Sequence, residues 1–280
     1  MKNKVYLIAE IGVNHNGSIQ KAKKLIKNLA VLDIDAIKIQ AFSAKNIASK
    51  NAELAGYQKR NISKINNQYE MLKKYEFSKI EIKSLYDFSK VQGIELISSI
   101  FSLEDFIKLN NMPKNKIKIP SGEFTNFELI DYALNNYKNI ILSTGLSDFN
   151  EIKKTMNKIK KQRKDFKGVS LLHSTSAYPC PDEQADMKSI ITLKNKYNIK
   201  VGYSDHTVGS VAAIMAVSMG AEIIEKHVTL DKNLPGPDHK ASANIPEFRE
   251  FVKNVRTAEK MLGDGKKAVQ VDAKANKKAV

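Results

Sequence analysis

Eight times along this chain a short apolar run gives way, after a turn, to a segment with helical spacing. No other feature constrains the fold as tightly. The runs cover residues 5–11, 35–42, 95–101, 116–121, 139–144, 169–174, 200–204 and 223–228. The helical segments cover 18–31, 78–92, 103–110, 126–136, 148–161, about 187–197, 210–220 and 246–262. Ser18 reads as an N-cap, and Pro246 near the start and Gly263 just past the end bracket the last helix. Strands alternating with helices predict a parallel sheet. Eight such units in about 262 residues predict the α/β class and a closed (β/α)8 TIM barrel. An open doubly wound sheet would call for a Gly-rich GxGxxG turn after the first strand, and none is present.

The barrel is expected to occupy 1–265, with 266–280 (KKAVQVDAKANKKAV) as a frayed tail or the start of a linker. Residues 43–76, rich in Asn, Lys and Gln, are too many for a plain connection, so this stretch is either functional or partly helical.

The charge balance points less clearly. The formal net charge of +16 could signal nucleic acid or a membrane surface. The lysines, however, fill the polar positions between apolar ones, as in KAKKLIKN and EIKKTMNKIKKQRKDFK, which is the pattern of a solvated helix face. No zinc finger or RNP motif accompanies them, so no nucleic-acid partner is expected, and the positive field suits anionic substrates. No apolar run nears the roughly 18 residues of a bilayer span, so no membrane association is expected. One cysteine, Cys180, permits no internal disulfide and fits a cytoplasmic setting.

Active sites of such barrels lie at the C-terminal ends of the strands. Reactive side chains should therefore gather there, and they do. Glu10, Asn14 and His15 follow strand one, and Lys38 and Gln40 lie in strand two. Ser98 and Ser99 lie in strand three, while Lys118, Ser121 and Glu123 mark strand four and Ser143 and Thr144 strand five. His173, Ser174, Thr175, Ser176 and Tyr178 follow strand six. The stretch from Gly202 to His239 is densest, with Ser204, Asp205, His206, Glu225, Lys226, His227, Asp238 and His239. All five histidines fall on this one face.

Lys38, Lys118 and Lys226 sit in apolar strands. They either bind an anion or form structural ion pairs with Glu10, Glu123 or Glu225. The turns at Gly122 and Gly145 could offer backbone N–H groups to phosphate. His15 is open between loop structure and site, His173 reads as structural and Cys180 as incidental. His206 and His227, on adjacent strands, form the best metal pair and would leave open positions for water and substrate. Imidazole with oxygen ligands suits Mn, Fe, Co or Zn more than Ca. The alternative is a pair of hydrogen-bonded rim histidines.

Several segments together resemble the sialic acid synthase (N-acetylneuraminate synthase) family. They are AEIGVNHNGS (9–18), DAIKIQAF (35–42), KIPSGE (118–123), ILSTG (141–145), LLHSTSAYP (171–179), VGYSDHT (201–207) and EKHVTLDKNLPGPDHKAS (225–242). The resemblance implies a (β/α)8 barrel that condenses phosphoenolpyruvate with an N-acetylated amino-sugar aldehyde such as N-acetylmannosamine, releasing phosphate. It implies a divalent metal, usually Mn2+ with Mg2+ or Co2+ also admissible, on His206 and His227. It implies that Lys38, Lys118, Ser121, Ser143 and Gly145 hold phosphoenolpyruvate. Glu10, Gln40, Ser176, Tyr178 and Asp238 are expected to hold the sugar or water, with Ser204 among the binding residues. Glu123 is placed near the reacting carbons, so that Glu10, Glu123 and Lys118 form the expected catalytic set.

Three positions depart from the family pattern: Ser174 stands for a usual Cys, Ile100 for a common Pro, and Ser176 for an Asn found in some members. The last leaves open a relative that takes a diacetylated dideoxy-hexose, a legionaminate or pseudaminate synthase. The family usually continues into a small C-terminal antifreeze-like domain that lends an arginine to the neighbouring subunit; this chain is expected to be the barrel without that domain, and a homodimer is expected from the resemblance alone. The competing readings are a metal-dependent hydrolase or aldolase, a weakly active polysaccharide-biosynthesis protein and a basic nucleic-acid binder.

Overall fold

Inside the strands the side chains alternate with period two, and this alternation closes the molecule. The computed structural model describes residues 4–54, 56 and 67–277. In chain order, β1 (Tyr6–Gly12), α1 (Ile19–Leu29) and β2 (Ala36–Ala41) lead into two short helices, α2 (Ala44–Ile47) and α3 (Gln68–Tyr75). Then come α4 (Lys79–Val91), β3 (Glu95–Ile100), a 3₁₀ segment (Glu104–Leu109) and β4 (Lys116–Ile119). After these follow α5 (Phe127–Asn136), β5 (Asn139–Ser143), α6 (Phe149–Gln162), β6 (Val169–His173) and α7 (Ser189–Tyr197). The chain ends with β7 (Lys200–Asp205), α8 (Val211–Ser218), β8 (Ile223–Thr229), a two-residue β9 (Ala243–Asn244), α9 (Ile245–Met261) and α10 (Ala273–Lys277). Each of the first eight strands pairs parallel with the next, and β8 pairs with β1, closing the eight-stranded barrel.

Local chemistry starts the helices where the sequence suggests. Ser18 accepts a hydrogen bond from the Lys21 amide. Ser78 with Glu81, Asp148 with Glu151, and Asn244 with Glu247 form reciprocal capping boxes on α4, α6 and α9. The helix expected at 103–110 is instead 3₁₀. It is six residues long, and its first turn is tied by the Ser102 hydroxyl to the Asp105 amide and carboxylate. The long polar stretch is partly helical, as α2 and α3. Its residues 55 and 57–66 lie outside the described residues.

Inward positions stack in layers. Ile8, Ala36, Ile97, Ile141, Leu172 and Ile223 form a dry plug across the barrel. Outward positions pack into the helix ring as one large core. Below the plug, Lys116 donates to the Tyr6 hydroxyl at 2.7 Å and to Glu95 at 2.9 Å. Above it the interior turns polar: Glu10, Lys38, Ser99, Lys118, Ser143, Ser204 and Glu225 are all buried there. The plug separates the two networks, so the upper one faces only the C-terminal mouth.

Candidate active site

The upper layer is an alternation of charges held at close range. Lys118 Nζ lies 3.1 Å from both Glu225 carboxylate oxygens, and Lys38 Nζ lies 3.6 Å from Glu225 and in direct contact with Glu10. Ser99 accepts from Lys38 at 2.9 Å, and Ser204 donates to Glu225 at 2.9 Å. Glu225 therefore carries two lysines and a hydroxyl, while Glu10 carries one lysine. Burial pushes both carboxyls upward. At Glu225, Lys118 and Lys38 overcome it and hold the group well below the usual carboxylate range. At Glu10, burial prevails over Lys38 and the carboxyl is pushed up to about 7. Burial brings Lys118 down to about 8 against the pull of Glu225, whereas at Lys38 the two carboxylates outweigh burial and the ammonium is raised.

This floor opens into a cavity of about 320 Å³ at the barrel mouth. Of the residues expected from sequence, Lys38, Gln40, Lys118, Ser121, Glu123, Ser143, Tyr178, Ser204, His206, His227 and Asp238 line it. Glu10 lies just beneath, fully buried against Lys38. Ser176 is not on the wall but meets the Ser121 hydroxyl at 3.0 Å. Gly145 also stands behind the wall: a β-carbon there would come within 2.6 Å of the Ser174 and Ser176 hydroxyls, so glycine lets both approach the turn. Gly12, with φ of +47°, does the same at β1, where a β-carbon would sit 3.0 Å from Glu10 Oε1. Burial lifts Asp238 to about 6, and Glu123 accepts from Asn126 at 2.9 Å.

His206 and His227 converge, their ring centroids 5.7 Å apart, with Tyr178 4.3 Å from His206. His206 Nδ1 meets the Thr175 carbonyl at 2.7 Å, which leaves Nε2 toward Ser204 and the cavity. His227 Nδ1 is buried with no hydrogen-bond partner among the described residues. Burial holds both rings below their ordinary titration range and therefore neutral. Two neutral, converging imidazoles, one with its tautomer fixed by a carbonyl and one with an orphaned nitrogen, fit a divalent metal. Among the described residues no group of three His, Cys, Asp or Glu side chains gathers for an ion, so substrate or water oxygens would complete its coordination.

Other expectations are corrected by the strand period. Lys226 lies between the inward residues Glu225 and His227 and so points outward. There it binds Asp205 and the Thr207 carbonyl, both at 2.8 Å, over the Phe251 ring of α9. Ser98 is likewise outward, 3.0 Å from the Tyr86 hydroxyl. His15 stacks on Phe77 at 4.0 Å, and His239 bonds Thr229 and Asn16. Both are loop structure beside the site. His173 contacts the Ala185 carbonyl at 2.8 Å, as a structural histidine would.

Sequence reasoning did not single out the opposite wall. Val13, Ile47, Met71, Leu72, Tyr75 and Phe101 give the cavity an apolar side. The available signal was Met71 and Tyr75, one helical turn apart inside the polar stretch.

Residues 25–267 match the NeuB family. The N,N'-diacetyllegionaminic acid synthase of Campylobacter jejuni is 40% identical over 97% of this chain and 81% of its own length. The enzyme of the same name from Legionella pneumophila is 39% identical over 94% of this chain and 74% of its own. The crystal structure of the N-acetylneuraminic acid (sialic acid) synthetase of Leptospira borgpetersenii, in complex with citrate, superposes with a TM-score of 0.85 at 31% identity, covering 99% of this chain and 91% of that one.

Proposed function

The chain belongs to the NeuB family, and from that premise we propose that it condenses phosphoenolpyruvate with an open-chain diacetamido-6-deoxy-hexose, forming a legionaminic- or pseudaminic-type acid and phosphate. It is an enzyme of the nonulosonic acid synthase class. Two of the relatives at 39–40% identity carry the diacetylated product in their names, and the N-acetylneuraminate-9-phosphate synthase of Mus musculus stands at 30%. That ordering favours the diacetylated acceptor over N-acetylmannosamine. Ser176, in place of the Asn of some sialic acid synthases, agrees with it.

One observation supports this reading most: a cavity with a lysine floor on one side and an apolar wall on the other. The floor suits a donor bearing a phosphate and a carboxylate, because Lys38, Lys118, Ser121 and Ser143 offer buried cations and hydroxyls that need no reorganisation. The donor's C3 then forms a bond to the aldehyde carbon, and the aldehyde oxygen takes up a proton. Water adds to the former pyruvate C2 and gives its proton to a carboxylate. The tetrahedral adduct then breaks its C2–O bond to phosphate, the hydroxyl proton passes to the departing phosphate, and a ketone remains. Glu10, held near 7 by burial, can accept that proton, and Glu123 at the rim is the second candidate. His206 and His227 would hold a divalent metal, Mn2+ first, which when bound supplies Lewis acidity at the aldehyde oxygen.

Phosphate release tests the proposal. Purified protein with Mn2+ and phosphoenolpyruvate should release phosphate with the diacetamido sugar far faster than with N-acetylmannosamine or with no sugar. EDTA and His206→Ala should each abolish release. Equal release without any acceptor would indicate a phosphatase and sink the reading.

A further inference from the structure

We infer that helix α3 sets acceptor choice: Met71, Leu72 and Tyr75, with Ile47 and Phe101 opposite, seat the deoxygenated end of the sugar, a role that rests on the synthase reading above. The five belong to a satellite cluster separate from both the barrel plug and the outer core, together with Val13, Phe42 and Leu54. The cluster draws Val13, Phe42 and Phe101 from the ends of β1, β2 and β3 and lines one side of the mouth. The sequence of α3 explains its orientation. Met71 and Tyr75 are buried one turn apart, Lys73 and Lys74 face solvent, and Leu72 is half-buried on the cavity side. Asn67 caps the helix through its side chain, and Lys108 ties the following Phe77 carbonyl to the barrel at 2.8 Å.

The cavity leaves the acceptor one orientation. Its aldehyde must meet the donor above Lys38 and Lys118, so its far end is turned to the side where the described residues place no cation. Among the described residues that side is lined by Val13, Ile47, Met71, Leu72, Tyr75 and Phe101, with Gln68 and Asp238 also on the cavity wall. A sugar bearing hydroxyls at C4 and C6 would lose water there and gain few partners, a loss on the order of tenfold or more in affinity per unsatisfied hydroxyl. A C6 methyl and an acetamido methyl would gain contact instead, while Asp238 can accept the amide N–H. An apolar pocket rejects an added hydroxyl by up to about a hundredfold, which is enough to set the preference between the two sugars.

The test compares kcat/KM for the two acceptors in the parent protein, in Leu72→Gln and in Ile47→Ser. Both residues are half-buried, so the variants should fold, and a circular dichroism melt checks this. The expected result is a fall of about tenfold or more in the preference for the diacetamido sugar in each variant, expressed mainly in acceptor KM, with the KM for phosphoenolpyruvate within about twofold. A parent that prefers the diacetamido sugar while both variants lose activity toward the two sugars equally overturns this inference and leaves the proposed function standing. A parent that prefers N-acetylmannosamine overturns both.

Discussion

Glu10 and Glu225 share one lysine and differ by another, and that difference separates their chemistry. With Lys118 at 3.1 Å as well as Lys38, Glu225 stays ionised and is the counter-charge that holds both lysines in place under the proposed donor site. Glu10, with its carboxyl near 7, can exchange a proton at working pH. If Glu10 is the base, only its ionised form works, so kcat/KM should rise as pH increases through about 7. The Glu10→Gln variant should lack that limb and lose about two or more orders of magnitude; an unchanged limb would transfer the role to Glu123. Lys118 separates binding from structure. Lys118→Met should weaken phosphoenolpyruvate binding by about a hundredfold in calorimetry, near 2.7 kcal/mol, and lower thermal stability by leaving Glu225 buried with one cation fewer. Adding Glu225→Gln should return much of the stability and none of the binding. The period of two made these residues legible, because Lys38 and Lys118 share inward parity with Glu10 and Glu225. The same rule, followed through β8, excludes Lys226, which sits between two inward residues and serves α9 instead.

At the scale of the element, what could be read was the alternation itself. All eight strands lie where their apolar runs stand, and capping residues mark the starts of α1, α4, α6 and α9. Less legible were elements whose reason lies in other elements. The Glu104–Leu109 segment is 3₁₀ because the Ser102–Asp105 turn holds it, and α3 is buried by a cluster drawn from β1, β2 and the segment after β3. Its short helical pattern amid Asn, Lys and Gln gave little warning that it would wall the site. Capping, by contrast, is local and can be tested locally. Asp148 accepts from both the Asn150 and Glu151 amides, at 2.7 and 2.8 Å, and Glu151 reaches back to the Asp148 amide at 3.0 Å. Asp148→Ala should cost about 1 kcal/mol in denaturant unfolding and leave ligand affinity intact, since α6 carries no side chain of the cavity. A loss of phosphoenolpyruvate binding at unchanged stability would contradict the division between scaffold and site.

At the scale of the whole molecule, a barrel stands or falls at the seam where its last strand meets its first. That seam is fastened at both ends. At the bottom, Arg256 of α9 donates to the Val5 carbonyl at 2.8 Å and pairs with Asp35 at 2.9 Å and Glu259 at 3.0 Å. At the top, Asn14 donates to the Val228 carbonyl and the Ser242 hydroxyl, and His239 links Thr229 of β8 to Asn16 of the β1 loop. His15 steadies the same β1 loop by stacking on Phe77 and accepting from the Gly17 amide at 3.0 Å. His239 therefore ties β8 to the β1 loop, and His15, which the sequence left open, steadies that loop beside the site. Burial keeps both neutral, bringing His15 down to about 3 and His239 to about 4. The linkage has a definite sign. A base whose folded pKa lies below its unfolded value of 6.5 takes up its proton more readily when unfolded, so its stabilising effect is complete above about pH 6.5 and is lost as pH falls toward the folded value. Between pH 8 and pH 5 one such histidine withdraws about 2 kcal/mol. Glu10 and Asp238, raised by burial, act in the opposite direction over the same range, so the parent's total change hides the histidines. The difference between parent and variant isolates them. His15→Gln keeps an acceptor for the Gly17 amide and removes the titration. Urea unfolding at the two pH values should therefore show the variant less stable than the parent at pH 8, with the gap narrowed by about 2 kcal/mol at pH 5. A gap of the same size at both pH values would mean that His15 takes up its proton in the folded protein as readily as in the unfolded chain, and any acid sensitivity would belong to other groups.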